Sequence, residues 1–165
     1  MGKILRKKWI YLLVPVLLLL LTQMVWAEEL VVSDGDKVVL MISEGDFALS
    51  SAPNDKGLMA EQPETATVWT ACAQDDGSWI LESDQGRLSV DPETGLLTLN
   101  AAGDCWILTD LDDGTVSLTN LSDNRVLTWY PAHETFGLAD SESEFSRLKL
   151  VIIPAEPETP ETDPT

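Results

Sequence analysis

Along residues 33–153 apolar and polar positions alternate with a period of two, in short runs broken by Gly and Asp. Period two sends alternate side chains to opposite faces, so each run predicts a half-buried β-strand. No segment there carries the 3.6-residue periodicity and caps of a helix. The runs also repeat. Asp34-Gly35, Asp76-Gly77 and Asp113-Gly114 are tight-turn pairs. Each is followed by two alternating apolar residues: Val38 and Leu40, Trp79 and Leu81, Val116 and Leu118. A second strand closes on Leu plus a hydroxyl, at Leu49-Ser50, Leu88-Ser89 and Leu127-Thr128, 39 residues apart each time. A third apolar point recurs with the same spacing of 39 at Leu58, Leu97 and Phe136. A fourth element carries one large aromatic, at Trp69, Trp106 and Phe145, spaced 37 and 39.

Each unit thus predicts about four short strands in roughly 39 residues, about twelve strands in all. A unit this small cannot bury its own apolar face, but three packed around one axis can. Trp69, Trp106 and Phe145 are repeat-equivalent and are expected in the shared core. Trp79 aligns with Val38 and Val116 and is expected there too, and Trp129 shares strand parity with Leu127. The fold class is therefore all-β.

Three-fold repetition at this length resembles a β-trefoil. From Asp34-Gly35-Asp36-Lys37-Val38-Val39-Leu40 through Ala48-Leu49-Ser50 the chain resembles trefoil modules of the ricin-type (ricin B-like) and fascin-like group. It is also similar to small β-rich modules of secreted Gram-positive bacterial proteins. The resemblance spans residues 30–153 and implies a β-trefoil-like domain with carbohydrate as ligand class. One departure matters. Ricin-type sugar binders carry Gln two residues before the repeat Trp, whereas Thr67, Asp104 and Ser143 stand at those places here. The structural repeat is kept and the sugar-binding signature is not.

The two ends differ from the repeats. Residues 1–27 hold Lys3, Arg6, Lys7 and Lys8, no acid, an apolar stretch from Trp9 to Met24, and Val25-Trp26-Ala27 before Glu28. This is the pattern of a signal peptide. An uncleaved anchor is the alternative, because the 19 residues Trp9–Ala27 could span a bilayer. Either way residues 28–153 are expected outside, as a secreted, extracellular domain or one anchored through the N-terminal segment. Residues 154–165 combine four Pro with four acids and no large apolar side chain, which predicts a disordered Pro/Glu/Thr tail.

Charge then limits the partners. The chain has 10 bases and 28 acids, a formal net charge of -18, and six of the bases lie past the leader. Such a surface repels phosphate backbones, so nucleic acid is excluded, and any protein partner should be basic.

Candidate chemistry is sparse. Asp110, Asp112 and Gly114 occupy alternating places of a calcium-like loop, but the third ligand place is Gly, so no metal site is expected. His133 is the sole His and no Gly-x-Ser-x-Gly is present, so the chain is expected not to be an enzyme and to need no cofactor. With Trp129 pointing inward, Tyr130 faces outward. Tyr130, His133, Glu134, Asn124 and Asp123 form a local group that mixes an aromatic face with amide and carboxylate groups, as a sugar site would. Cys72 and Cys105 are a candidate disulfide in an exported chain. They sit on equivalent strands of adjacent repeats, which symmetry could hold too far apart to bridge. Asn120-Leu121-Ser122 reads as a chance sequon. The expectation is a monomeric, non-enzymatic binding module for a glycan. The alternatives are a protein-interaction or inhibitor module for a basic protein, and an accessory domain without ligand.

Overall fold

The computed structural model describes residues 30–43 and 47–153. The signal peptide expected at 1–27 and the tail expected at 154–165 lie outside these residues. Among the described residues no helix is long and apolar enough to cross a membrane.

Among the described residues twelve strands form: β1 (Lys37–Ile42), β2 (Ala48–Asn54), β3 (Gly57–Glu61), β4 (Trp69–Ala73), β5 (Trp79–Ser83), β6 (Gly86–Val90), β7 (Leu97–Asn100), β8 (Trp106–Asp110), β9 (Val116–Asn120), β10 (Val126–Tyr130), β11 (Thr135–Ala139) and β12 (Leu148–Ile153). Six of them close a barrel. β1 pairs β4, β4 pairs β5, β5 pairs β8, β8 pairs β9, β9 pairs β12 and β12 returns to β1, all antiparallel. Closure removes the exposed sheet edges that invite association. The other six form hairpins, β2–β3, β6–β7 and β10–β11, with β3 also pairing β11. A six-stranded barrel capped by three hairpins, one per repeat, is a β-trefoil.

The register shows the three-fold rule directly. Long ladders join adjacent repeats, at β4–β5, β8–β9 and β12–β1. Within each repeat the barrel closes on a short seam, marked by Val38↔Trp69, Trp79↔Trp106 and Val116↔Leu148. Trp69, Trp106 and Leu148 are each 0% exposed. The third large core residue is therefore Leu148, and the expectation for Phe145 is corrected. Phe145 is 41% exposed and sits in a short 3-10 turn, Glu144–Ser146. Ser143 starts that turn with a reciprocal cap: its side chain accepts from Phe145 N–H at 3.2 Å, and its own N–H donates to Ser146 Oγ at 2.8 Å. A capped turn delays β12, so the repeat gains three residues before its core position. Trp79 is partly buried and packs against the core from its margin, short of the full burial expected.

The remaining repeat positions are as the spacing predicts. Leu49, Leu88, Leu127, Leu58 and Phe136 are 0% exposed and Leu97 is 2% exposed. The third repeat, which has Leu148 where the others have Trp, carries its bulk in the cap. Trp129 and Phe136 pack there at 5.1 Å between ring centroids, and Phe47 stacks on Trp129 at 5.6 Å. Close packing requires such volume compensation. The two core indoles are bound identically: Trp69 Nε1 donates to Leu49 O at 3.3 Å and Trp106 Nε1 to Leu88 O at 3.2 Å. Thr67 and Asp104, at the places of the missing Gln, accept from Ser51 N–H and Val90 N–H at 3.0 and 2.7 Å. They satisfy hairpin donors that would otherwise lack a partner.

Gly57 is the tightest point between hairpins. A Cβ there would lie 2.2 Å from Phe136 O, at a φ of +147° that side chains avoid. Gly35, in the first Asp-Gly turn, has a φ of +85° but open space around it. Gly57→Ala should therefore cost about 3 kcal/mol or more, and Gly35→Ala about 1–2 kcal/mol, in denaturant unfolding. Equal costs at the two sites would contradict the packing described.

Candidate functional site

The register that aligns Leu58, Leu97 and Phe136 also aligns Asp55, Thr94 and His133, three residues earlier in each repeat. These are hairpin-tip positions. All three line one groove of about 540 Å³, which therefore lies around the pseudo-threefold axis of the cap. The repeats fill it differently. The first contributes Asp55 and Lys56, the second Thr94, and the third Tyr130 and His133, with Arg125 entering from the β9–β10 turn.

Tyr130 is placed by the β10–β11 ladder, where it pairs Thr135 while Thr128 pairs Gly137. Its ring lies against the bare backbone of Gly137, since a Cβ there would come within 3.0 Å of the ring carbon Cε2. The phenol Oη donates to Leu138 O at 2.7 Å. The ring is thus held along its body and at its tip, half-buried, before any ligand arrives. Thr135 ties the third hairpin to the first: its hydroxyl donates to Leu58 O at 2.9 Å and accepts from Asn54 Nδ2 at 3.2 Å. Asn54 in turn fixes the tip, accepting Lys56 N–H at 2.8 Å.

Arg125 is likewise fixed. Its Nε and Nη2 each meet Asp123 Oδ2 at 2.7 Å, and its Nη1 donates to Gly95 O at 3.2 Å, across to the second repeat. Burial works against the Asp123 carboxylate. The Arg125 N–H, guanidinium hydrogen bond and charge outweigh it and hold the group below the usual carboxylate range.

Of the five residues expected at the site, Tyr130 and His133 line the groove, and Asp123 stands behind it through Arg125. Glu134 and Asn124 do not line it. Glu134, exposed at a φ of +48°, ends the 3-10 turn Pro131–His133, and Asn124, at +58°, shapes the β9–β10 turn by donating its N–H to Asn120 O at 3.0 Å. Asp55, Lys56, Thr94 and Arg125 were missed. The 39-residue period could have found Asp55 and Thr94, because it maps His133 onto both. The groove presents an aromatic face, hydroxyl and carboxylate acceptors, and ammonium, guanidinium and imidazole groups. That mixture suits a small ligand with an apolar face and several hydroxyls. Two further grooves, of about 480 and 450 Å³, are lined around Asp84 and Gln85 and offer no aromatic side chain.

The acidic turns have structural work. Asp34 Oδ1 accepts Ala73 N–H at 2.9 Å. Hydrogen bonds from the Ser78 hydroxyl and N–H hold the Asp76 carboxyl below its ordinary range. Those from Thr115, with the Arg147 charge added, do the same for Asp113. In the Asp110–Gly114 loop, Asp110 Oδ1 accepts Asp112 N–H at 3.0 Å. Among the described residues no three His, Cys, Asp or Glu side chains converge to hold a metal. Asn120 of the sequon is 1% exposed, and its amide Nδ2 donates to Asp104 Oδ2 at 3.3 Å, so in the folded chain it offers no free amide nitrogen to a glycosyl donor.

Cys72 and Cys105 are both free thiols, and the disulfide candidate is corrected. Cys72 pairs Ile80 across β4–β5, and the Trp79↔Trp106 pair sets Cys105 opposite Ile80 from the other side. Two strand spacings separate the cysteines, about 10 Å, beyond the reach of a disulfide. Burial, then the Glu82 and Asp34 charges, push the Cys72 thiol up. Alkylation of the unfolded protein without reductant should add two groups per chain by mass spectrometry. A chain that accepts neither would overturn this register.

No protein-family model matches the chain, and no curated protein does. Solved structures do match in fold. The designed three-fold symmetric protein ThreeFoil is 18% identical, with a TM-score of 0.58, over 70% of this chain and 97% of its own. SeviL, solved bound to the asialo-GM1 saccharide, is 14% identical with a TM-score of 0.59, over 71% and 97% of the two chains. The BEL β-trefoil is 13% identical with a TM-score of 0.63, over 75% and 97%. The chain shares the β-trefoil fold with these proteins.

Proposed function

We propose that this chain is an exported, monomeric, non-enzymatic module that binds a saccharide in the axial groove. The observation that carries the reading is Tyr130, a ring anchored on Gly137 and at its hydroxyl, inside a groove that all three repeats line with polar groups. A pyranose stacks its C–H face on such a ring and exchanges hydrogen bonds with Asp55 and Thr94. An anchored ring loses little freedom on binding, which favours affinity. SeviL, of the same fold, holds a saccharide, and this supports the ligand class by analogy. The Thr67 and Asp104 substitutions separate the chain from the ricin-type pattern, so its site is its own rather than the group's.

Glycan-array binding should be detectable, and Tyr130→Ala should weaken it about ten-fold or more while leaving the unfolding midpoint within a few degrees. An array without binding, or a Tyr130→Ala variant that binds as the parent does, would remove the reading. The acid excess favours a second reading, a basic protein partner, whose complex should weaken steeply with salt. Export predicts that the mature chain begins at Glu28 on N-terminal sequencing, and a retained Met1 would favour the anchor.

A further inference from the structure

We propose that the axial groove selects a saccharide bearing a carboxylate, a uronic- or sialic-acid unit, over its neutral counterpart. The inference rests on the saccharide reading above and adds the charge of the ligand.

The basis is where the few cations are placed. Six bases follow Glu28, against 28 acids. The groove of about 480 Å³ is lined by Glu82, Asp84 and Arg87, and that of about 450 Å³ has Asp84 as its ionisable side chain. Both repel an anion. The axial groove is less acidic: Lys56 and Arg125 line it with Asp55, Asp123 answers Arg125 from behind, and the His133 imidazole stands beside them.

The three nitrogen-bearing side chains play different parts. Arg125 is committed to Asp123 and Gly95 O, so it shapes the wall. Lys56 is uncommitted. The ion pairs among the described residues are Arg87–Glu82, Arg125–Asp123 and Arg147–Asp113, and Lys56 is in none of them. Its backbone is nonetheless fixed by Asn54, so the ammonium projects from a defined tip. His133 enters from the opposite hairpin with a ring N–H to donate.

A sugar ring with one carboxylate and several hydroxyls meets each of these groups. The carboxylate meets the Lys56 ammonium and the His133 N–H, a charge-assisted pair. The hydroxyls meet Asp55 and Thr94, and the C–H face meets Tyr130. A neutral hexose leaves the Lys56 charge without a counterpart. The long-range repulsion from the acidic surface is damped beyond about 8 Å at physiological salt, so the local groups decide.

The test is an array, followed by titration calorimetry, of glucuronic- and sialic-acid-terminated oligosaccharides beside glucose- and galactose-terminated ones. The expected result is about five-fold tighter binding of the carboxylated members. Lys56→Met should bring that ratio close to one. Lys149→Met, exposed on the outer face of β12, should leave it as it is. Equal binding of charged and neutral glycans overturns this inference and leaves the saccharide reading standing. A preference that survives Lys56→Met overturns the placement of the carboxylate. Binding of neither class overturns both readings.

Discussion

Barrel closure is the constraint on which everything else depends. Three short seams, Val38↔Trp69, Trp79↔Trp106 and Val116↔Leu148, must meet for six strands to become a ring. No repeat can do this alone, because each supplies two barrel strands and one large inner residue. The core is therefore a joint volume, and its residues are free to vary only in concert. Leu148 is smaller than the Trp at the equivalent places, and the same core cluster gains bulk from Trp129 and Phe136 of that repeat. The indole donors show the same logic in hydrogen bonds. Each core Trp ends on the carbonyl of its own repeat's Leu, tying barrel to cap.

A closed barrel leaves the hairpins as the place where the repeats can differ. Their roots are pinned by buried leucines and by the Thr67 and Asp104 bonds. Their tips carry no such duty. At three equivalent places the chain has Asp55, Thr94 and His133: an acid, a hydroxyl and an imidazole. Symmetry in the core thus brings asymmetric chemistry to one axis. Loops positioned by a rigid scaffold are where binding groups generally collect.

This explains which features could be read from the sequence. Four features recurring in the same order, two of them 39 residues apart each time, led to the repeats, the strands and the trefoil, because period two and burial are local properties. Phe145 misled because an aromatic at the expected spacing looks the same whether it enters a strand or a capped turn. The deciding residues were Ser143 and Ser146, whose reciprocal bonds delay the strand. At the groove, Tyr130 and His133 were legible because they are neighbours in sequence. Lys56 and Arg125 were not, because their proximity to Tyr130 exists only once three hairpins converge. Glu134 and Asn124 were drawn in by sequence proximity, although left-handed turn geometry is their task.

The large acid excess changes meaning in this setting. Much of it is turn chemistry: Asp34, Asp76 and Asp113 each accept backbone N–H bonds, so their charge is incidental to what a partner sees. Two of the six bases past the leader answer particular carboxylates on the barrel's flanks, Arg87 with Glu82 and Arg147 with Asp113, in exposed pairs that contribute little to stability. Arg125 is different. It is less exposed, spans two repeats, and fixes one wall of the groove that the uncommitted Lys56 also lines. Net charge is a property of the whole surface and sets only long-range repulsion. Recognition depends on the few side chains that the three-fold closure brings within reach of one ligand.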